Sequence, residues 1–585
     1  MIRPIIFVIC FAFIGLSVLG DGPQDNIPEK VRPVPPVGIE VPNATFAELK
    51  KGVVELRNEI DGMRKSLAKS PALLAFLPDV EIFANSVYYA LRYNEFYSEK
   101  EFEVARKHLQ QGRERAKLLR EGKTPWNTET GLVVRGYVSK IDGSVQPYGL
   151  VVPKTHSPTT AIQHRLDVWF HGRGEKLTEL NFIEGRQKDP GQFTPANAFV
   201  LHPYGRYCNA NHFAGEIDTF EAIEHIRKHY PIDVNRVAVR GFSMGGAACW
   251  NFAVHYPGLW AAAAPGAGFS ETPEFLRVFQ GETIKPNEWE KKLLRWYDCT
   301  DWAGNLFNCP TVAYSGENDK QKQAADIMAE AMLRENLQLV HIIGPKTGHS
   351  YHPDAKAEIN RRIDTILAKG RDPFPRHVKL TTYTLRYNTV RWLTIDSLEQ
   401  HWEQARVTAE VFERNLSRDA VVHTKNVDAF TLSIPAAPRC SRTNRGRATS
   451  ARSMANGACF CIRSLKRGCA SNMACKARST MRSWTSSSWS SRPGSPSTTR
   501  SASGSKRSTP TPSITGASSS AASSSRSMTQ TSMKSGSPAR TSSCGATLKA
   551  TRCSRRSGIG CPSNGTQKTA SSRGRRMTQD ITCRC

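Results

Sequence analysis

Apolar residues recur three and four positions apart from Phe46 onward, with Leu49, Val53, Leu56 and Ile60 on one stripe, which predicts an amphipathic helix. The same period predicts a second helix from Glu81 to Tyr93 and a third from Glu99 to Leu119. The third is so heavily charged that it reads as a solvated face. Phe46 to about Glu121 is therefore expected to be a small helical domain or arm. From 131 to 152 the period shortens to alternation around Asp142-Gly143, a strand pair closed by a D-G turn. Continuous apolar runs follow at Leu166–Phe170, Ala198–Leu201, Arg236–Val239, Ala261–Ala264, Thr311–Ser315 and Leu339–Ile343. Helical stretches such as Asp218–Tyr230 and Gly245–His255 separate most of them. Strands that do not alternate are buried on both faces, so the order predicts a mostly parallel sheet with helices on both sides. Residues 377–434 are β-rich again at Lys379–Leu385, Arg391–Ile395 and Val421–Thr424, with a helix expected near Leu398–Arg414.

One turn in this pattern carries chemistry. The run Val237-Ala-Val-Arg-Gly241-Phe-Ser243-Met-Gly245-Gly246 takes an apolar strand into G-x-S-x-G-G, and a helix-forming stretch follows at once. This is the nucleophile elbow of an α/β-hydrolase, where Gly241, Gly245 and Gly246 avoid collisions in a sharp, strained bend. The bend lifts the Ser243 hydroxyl to the positive N-terminus of the following helix. A serine hydrolase of the α/β-hydrolase fold is the expectation.

Acyl transfer also needs a base, a group that orients it, and donors for the oxyanion. In this fold the acid follows the serine in the chain and the histidine comes last. Asp319 lies four residues past the run that ends at Ser315, with Glu317 and Asp301 as rivals. His349 follows Gly348 after the last strand, with His352 as its rival. The Met244 amide follows the nucleophile and is one oxyanion donor; the second is expected in Phe170-His171-Gly172-Arg173-Gly174, from Gly172 or Arg173. The loop His202-Pro-Tyr204-Gly-Arg206-Tyr207 should overhang the site. There Arg206 either binds an acidic substrate group or pairs with Glu216 or Asp218.

The motifs H-G-R-G, H-P-Y-G-R, G-F-S-M-G-G, Y-S-G-E-N-D and G-H-S together resemble those of exported bacterial prolyl oligopeptidase-like serine hydrolases, strongly over residues 130–370. They are also similar to the esterase D and polyhydroxybutyrate depolymerase branch. The resemblance implies a triad of Ser243, Asp319 and His349 and no cofactor. One departure is that residues 21–130 show nothing like a β-propeller, so the gating that restricts true prolyl oligopeptidases to short peptides is not implied. Peptide and ester substrates stay open, because pocket shape and lid loops set that choice.

Composition changes the picture mainly at the two ends. The chain has 585 residues and a net charge of +28, yet residues 438–585 hold 27 of the 80 basic residues and one of the 52 acidic ones, Asp580. The rest is close to neutral. The tail is Ser/Thr/Arg-rich without apolar periodicity, so it is either disordered or translated out of frame. Shifting permitted codons for Lys476–Thr485 back by one base yields Gly-Pro-Ile-Asp-Asp-Ala-Phe-Met-Asp, an ordinary globular composition that resembles a downstream segment of the same family. Nucleic-acid binding through the tail is the alternative of another class, and a non-catalytic binding domain a second. On the main reading no nucleic-acid partner is expected, and oligomeric state leaves no mark on the sequence. The close-set Cys459, Cys461, Cys469 and Cys475 lie in this tail and carry no metal assignment.

At the other end Arg3 precedes the apolar run Ile5–Leu19, which reads as a secretory signal peptide and predicts an exported protein with no other membrane segment. Cys208, Cys249, Cys299 and Cys309 are the body's cysteines; Cys299 and Cys309 could pair in an oxidising compartment, while Cys249 reads as a buried thiol. The expected division is signal peptide 1–20, Pro-rich linker and helical region 21–127, catalytic domain 128–372, β-rich segment 373–437 and tail 438–585.

Overall fold

The computed structural model describes residues 33–159, 162–414 and 417–435, together with the backbone of short strands at 458–463 and 579–584. The signal peptide and nearly all of the tail lie outside the described residues. The helical period at the start produces α1 (Asn43–Ser66), α2 (Pro71–Leu74), α3 (Pro78–Tyr93) and α4 (Lys100–Arg120). Leu49, Val53, Leu56 and Ile60 are buried along α1, as their spacing requires. The third predicted helix, α4, is not a solvated face. Phe102, Ala105, Leu109, Ala116 and Leu119 form a buried stripe, and the charge occupies only the opposite side.

The alternating segment forms β1 (Gly131–Val138) and β2 (Val145–Val152), paired antiparallel from Gly131↔Val152 to Val138↔Val145. The apolar runs become β3 (His164–Phe170), β4 (Ala198–Pro203), β5 (Ile232–Phe242), β6 (Ala262–Gly266), β7 (Val312–Gly316) and β8 (Val340–Gly344). They lie in the order β1-β2-β4-β3-β5-β6-β7-β8. β2 is antiparallel to β4, and β4, β3, β5, β6, β7 and β8 are parallel neighbours. The connections are α5 (Glu179–Lys188), α6 (Ala214–His229), α7 (Met244–His255), α8 (Thr272–Gln280), α9 (Glu288–Leu294), α10 (Lys322–Arg334) and, after β8, α11 (Pro353–Lys369). Along β5, Val237 and Val239 enter one apolar core with α6 and α7, while Ala238 faces the other with α11. Both faces are covered, which is why these strands read as continuous apolar runs. This is the α/β-hydrolase fold.

The helical region shares that first core, which runs without a break from Leu49 through Phe252 to Tyr387. A buried ion pair anchors it: Asp79 accepts from Arg135 Nε at 2.9 Å, from the Gly136 amide at 2.7 Å and from Trp126 Nε1 at 2.9 Å.

The β-rich segment has its own core, from Val378 to Ile434. Its strands are β9 (His377–Thr382), β10 (Thr389–Val390), β11 (Leu393–Leu398), β12 (Ala405–Arg414), β13 (Ser417–Lys425) and β14 (Val427–Ile434). The strands at Ala458–Arg463 (β15) and Gln579–Arg584 (β16) extend two four-stranded antiparallel sheets, ordered β10-β11-β14-β15 and β16-β13-β12-β9. The helix expected near Leu398–Arg414 is absent. Its Glu, Gln, Arg and Ala content favours helix, but Ala405, Val407, Ala409 and Val411 alternate into the core as strand β12, paired with β9 and β13. Alternation and cross-strand packing outweigh propensity here. Cys299 and Cys309, at the two ends of a 3-10 stretch, are both buried free thiols, and so is Cys249.

Candidate active site

The elbow glycines are required by backbone contact. A Cβ on Gly241 would lie 2.0 Å from Gly245 O, one on Gly245 2.0 Å from Phe170 O, and one on Gly246 2.2 Å from Gly266 O. The helix α7 therefore begins pressed against β3 and β6. Ser243 sits in the bend at φ +59°, ψ −124°, a region rarely occupied by residues with a side chain. It is the N-cap of α7, so the Met244 amide, at the first helical position, has no carbonyl one turn earlier in the helix to bond to.

Asp319 and His349 come together from loops after β7 and β8. His349 Nδ1 lies 2.7 Å from Asp319 Oδ2, and Asp319 Oδ1 accepts from the Gln321 amide at 2.9 Å. The Asp319 side chain is 3% exposed and that of His349 40%. The two loops meet backbone to backbone: the Asn318 amide donates to Thr347 O at 2.9 Å, and a Cβ on Gly316 would lie 2.1 Å from Gly348 O. The His349 ring rests on Phe242, the residue before Ser243, with centroids 4.8 Å apart. Tyr351 packs under the same Phe242 at 4.7 Å.

The rival residues are engaged elsewhere. Glu317 accepts from the Lys346 amide at 2.6 Å and Asp301 pairs with Arg295 at 3.0 Å. His352 caps α11 and donates its backbone N–H to Tyr314 Oη at 2.8 Å.

The 171–174 loop lies against the elbow: a side chain on Gly172 would begin 3.8 Å from Ser243 Cβ. Two neighbours fix this loop. The His171 ring spans Gly172 O at 2.9 Å and Tyr204 O at 3.0 Å; burial pushes the imidazole below its usual range, against the opposing pull of these two carbonyls. Cys208 Sγ accepts from the Gly174 amide at 3.2 Å and donates to Gly174 O at 3.0 Å. Sequence reasoning assigned Cys208 no part in the site. The one local signal for its loop is Cys208-Asn-Ala-Asn211, since Asn tolerates positive φ. Arg206, Tyr207, Ala210, Asn211 and Phe213 all have φ between +52° and +82°.

Of the two roles open to Arg206, the structure forms the pairing. Its Nε lies 2.7 Å from Asp218, its Nη1 2.7 Å from Asp142, and its Nη2 donates to Ser139 Oγ at 2.9 Å. Hydrogen bonds from Arg206 and Ser144 hold the Asp142 carboxyl well below the usual range. Tyr204 is buried, with its hydroxyl 3.3 Å from Leu177 O. Among the described residues no cluster of three or more His, Cys, Asp or Glu could hold a metal ion, and no helix is long and apolar enough to cross a membrane.

Elbow, strand order and loop placement define the class: this chain is a serine hydrolase on an α/β-hydrolase fold. Residues 215–368 match the model of the prolyl oligopeptidase family, a stretch that contains Ser243, Asp319 and His349. Similar solved structures include an S-formylglutathione hydrolase from Staphylococcus aureus, 16% identical, covering 41% of this chain and 100% of that one with a TM-score of 0.31. A ferulic acid esterase is 15% identical, over 42% and 99% of the two chains, with a TM-score of 0.32. An acylaminoacyl peptidase is 15% identical over 41% and 42%, with a TM-score of 0.31. No curated protein sequence matches significantly.

Proposed function

We propose that Ser243, His349 and Asp319 act as a triad that cleaves ester or peptide bonds through an acyl-enzyme. The observation that carries this reading is the 2.7 Å contact of His349 Nδ1 with a buried Asp319, on a ring packed 4.8 Å from Phe242 beside the nucleophile. His349 Nε2 takes the Ser243 proton as Oγ attacks the carbonyl carbon. Asp319 holds the imidazole tautomer and stabilises the imidazolium. The Met244 amide and the Gly172–Arg173 backbone receive the oxyanion. His349 then protonates the leaving group, and water repeats the sequence to release the acid.

A carboxylesterase is the second reading. It is favoured by the helices over residues 43–120, which occupy the region before the catalytic sheet. Export through the Ile5–Leu19 signal is part of the proposal, and a mature N-terminus following Gly20 in secreted material would support it.

Fluorophosphonate labelling of the full chain, beside Ser243→Ala, tests the nucleophile. Labelling confined to wild type is expected. Labelling that survives in the variant, or none of a folded wild type, overturns the assignment. Turnover of p-nitrophenyl esters beside prolyl anilides then separates the two substrate classes.

A further inference from the structure

The seam between the catalytic sheet and the C-terminal β-rich segment holds a half-open cavity of about 400 Å³. Ala261 and Pro310, just ahead of β6 and β7, form one wall. Its polar lining is Asn308, then Arg371 and Asp372 after α11, and Arg376, His377 and Arg391 of the β-rich segment. The cavity is at the amino edge of the sheet, whereas Ser243, Asp319 and His349 all follow carboxyl ends of strands. Three guanidinium groups, an imidazole and one carboxylate thus line the cavity.

Most of these groups have partners. Arg376 and His377 share Glu410, at 2.9 and 2.7 Å. Arg371 donates from Nη1 to Gly258 O at 2.6 Å and from Nε to Val234 O at 3.2 Å. Asp372 accepts the Phe374 amide at 2.8 Å. Arg391 differs: its Nε and Nη1 are buried and have no hydrogen-bond partner. Burial, with Arg371 adding to it, pushes this guanidinium down to about 10. A buried charged donor without an acceptor is expensive, and such a group signals an acceptor that completes it.

The backbone makes the same point independently. Val390 pairs with Leu393, so Arg391 and Trp392 are a two-residue hairpin turn, and Arg391 takes φ +52°. A turn of this kind favours glycine at its first central position. Trp392 Nε1 donates to Pro375 O at 2.8 Å and fastens the turn to the cavity wall. An arginine is thus held in strained backbone where glycine would fit, a combination that clusters at ligand clamps.

We propose that this cavity binds a small oxyanion of the phosphate or carboxylate class, with Arg391 supplying the buried donors and Arg371 adjacent positive charge. Oxyanion oxygens form the charge-assisted hydrogen bonds that the buried Nε and Nη1 of Arg391 lack. The volume falls within the range of small-molecule sites and admits either a free anion or one carried on an organic group.

Thermal unfolding of the full chain in inorganic phosphate, and separately in acetate, at an ionic strength fixed with chloride, tests this. A saturable rise in Tm with at least one of the two anions is expected, and which anion acts identifies the oxyanion class. Arg391→Gly keeps the turn, since glycine suits φ +52°, so in chloride alone its Tm should equal or exceed that of wild type. The anion-dependent rise should disappear in that variant. No saturable rise in wild type overturns the proposal, as does a rise that persists in Arg391→Gly or a lower Tm of that variant in chloride alone. Fluorophosphonate labelling of Ser243, at the opposite edge, reports separately on the catalytic reading.

Discussion

At the carboxyl edge of the sheet Asp319 meets His349; under the N-terminal helical layer Asp79 meets Arg135. Both carboxylates are buried and both have their oxygens occupied, yet the surroundings differ. The Asp79 and Arg135 side chains are each 0% exposed, closed off by Trp126, Tyr230 and the Gly136 amide. The Asp319 pair is sealed on one side only, since His349 is 40% exposed. The backbone differs in step. Ser243 and five residues between 206 and 213 have positive φ near the catalytic edge, whereas the first four helices add only Asn94, the cap of α3. The Asp79 pair is enclosed with only Arg135 Nη2 left unpartnered, while the pair proposed for chemistry leaves the far side of the His349 ring accessible. Strain is tolerated on the second side because the packed sheet beneath over-determines the loops.

The largest effect expected on this contrast is from Ser243→Ala. Its kcat should fall about 10⁶-fold while the unfolding midpoint stays within about 0.5 kcal/mol of wild type. Next, Asp319→Asn should cost about 10⁴-fold in kcat by leaving the imidazole in the wrong tautomer. A loss under about tenfold would remove Asp319 from the triad. Asp79→Ala should do the reverse, destabilising by about 3–5 kcal/mol because Arg135 is left charged and buried, with kcat per folded molecule unchanged. Burial alone would raise the Asp79 carboxyl, but Arg135 and Arg115 outweigh it and hold it below the usual range. Its contribution is therefore complete above about pH 4 and is lost as pH falls further, so wild type and variant should converge in acid unfolding.

Two smaller effects sharpen the comparison. Cys208→Ala frees one anchor of the oxyanion loop and should lower kcat about tenfold at constant KM, with Cys208→Ser restoring most of it. An equal change in KM would mean a general disturbance of the site. Asp298 is a third carboxyl, buried beside Thr272 without a cation, and burial pushes it up to about 7. With the folded value raised above the ordinary one near 4, stability falls as pH rises from about 4 to 7. Asp298→Asn cannot ionise and should gain about 1 kcal/mol over wild type at pH 8, which denaturant melts at pH 5 and 8 would measure.

How legible these regions were follows the same division. The elbow, the sheet strands and the order Ser243, Asp319, His349 could all be read, because each depends on a local pattern or on position along the chain. The stretch Leu398–Arg414 was misread because its composition favours helix and only the alternation of Ala405, Val407, Ala409 and Val411 opposes it. Charge hid the buried stripe of α4 for a similar reason. Spacing left the pairing of Cys299 with Cys309 open, and the fold buries each as a free thiol.

By itself, then, the sequence determined which segments bury both faces, where the strained serine sits and which polar loops follow the last strands. Periodicity encodes burial, and glycines mark the places where backbones collide. Tertiary structure alone decided the pairings: Asp79 with Arg135, Arg206 with Asp142 and Asp218, Cys208 with Gly174, and Arg391 with none. Those residues are separated along the chain by distances that carry no local signal, and sheet order and loop closure bring them together.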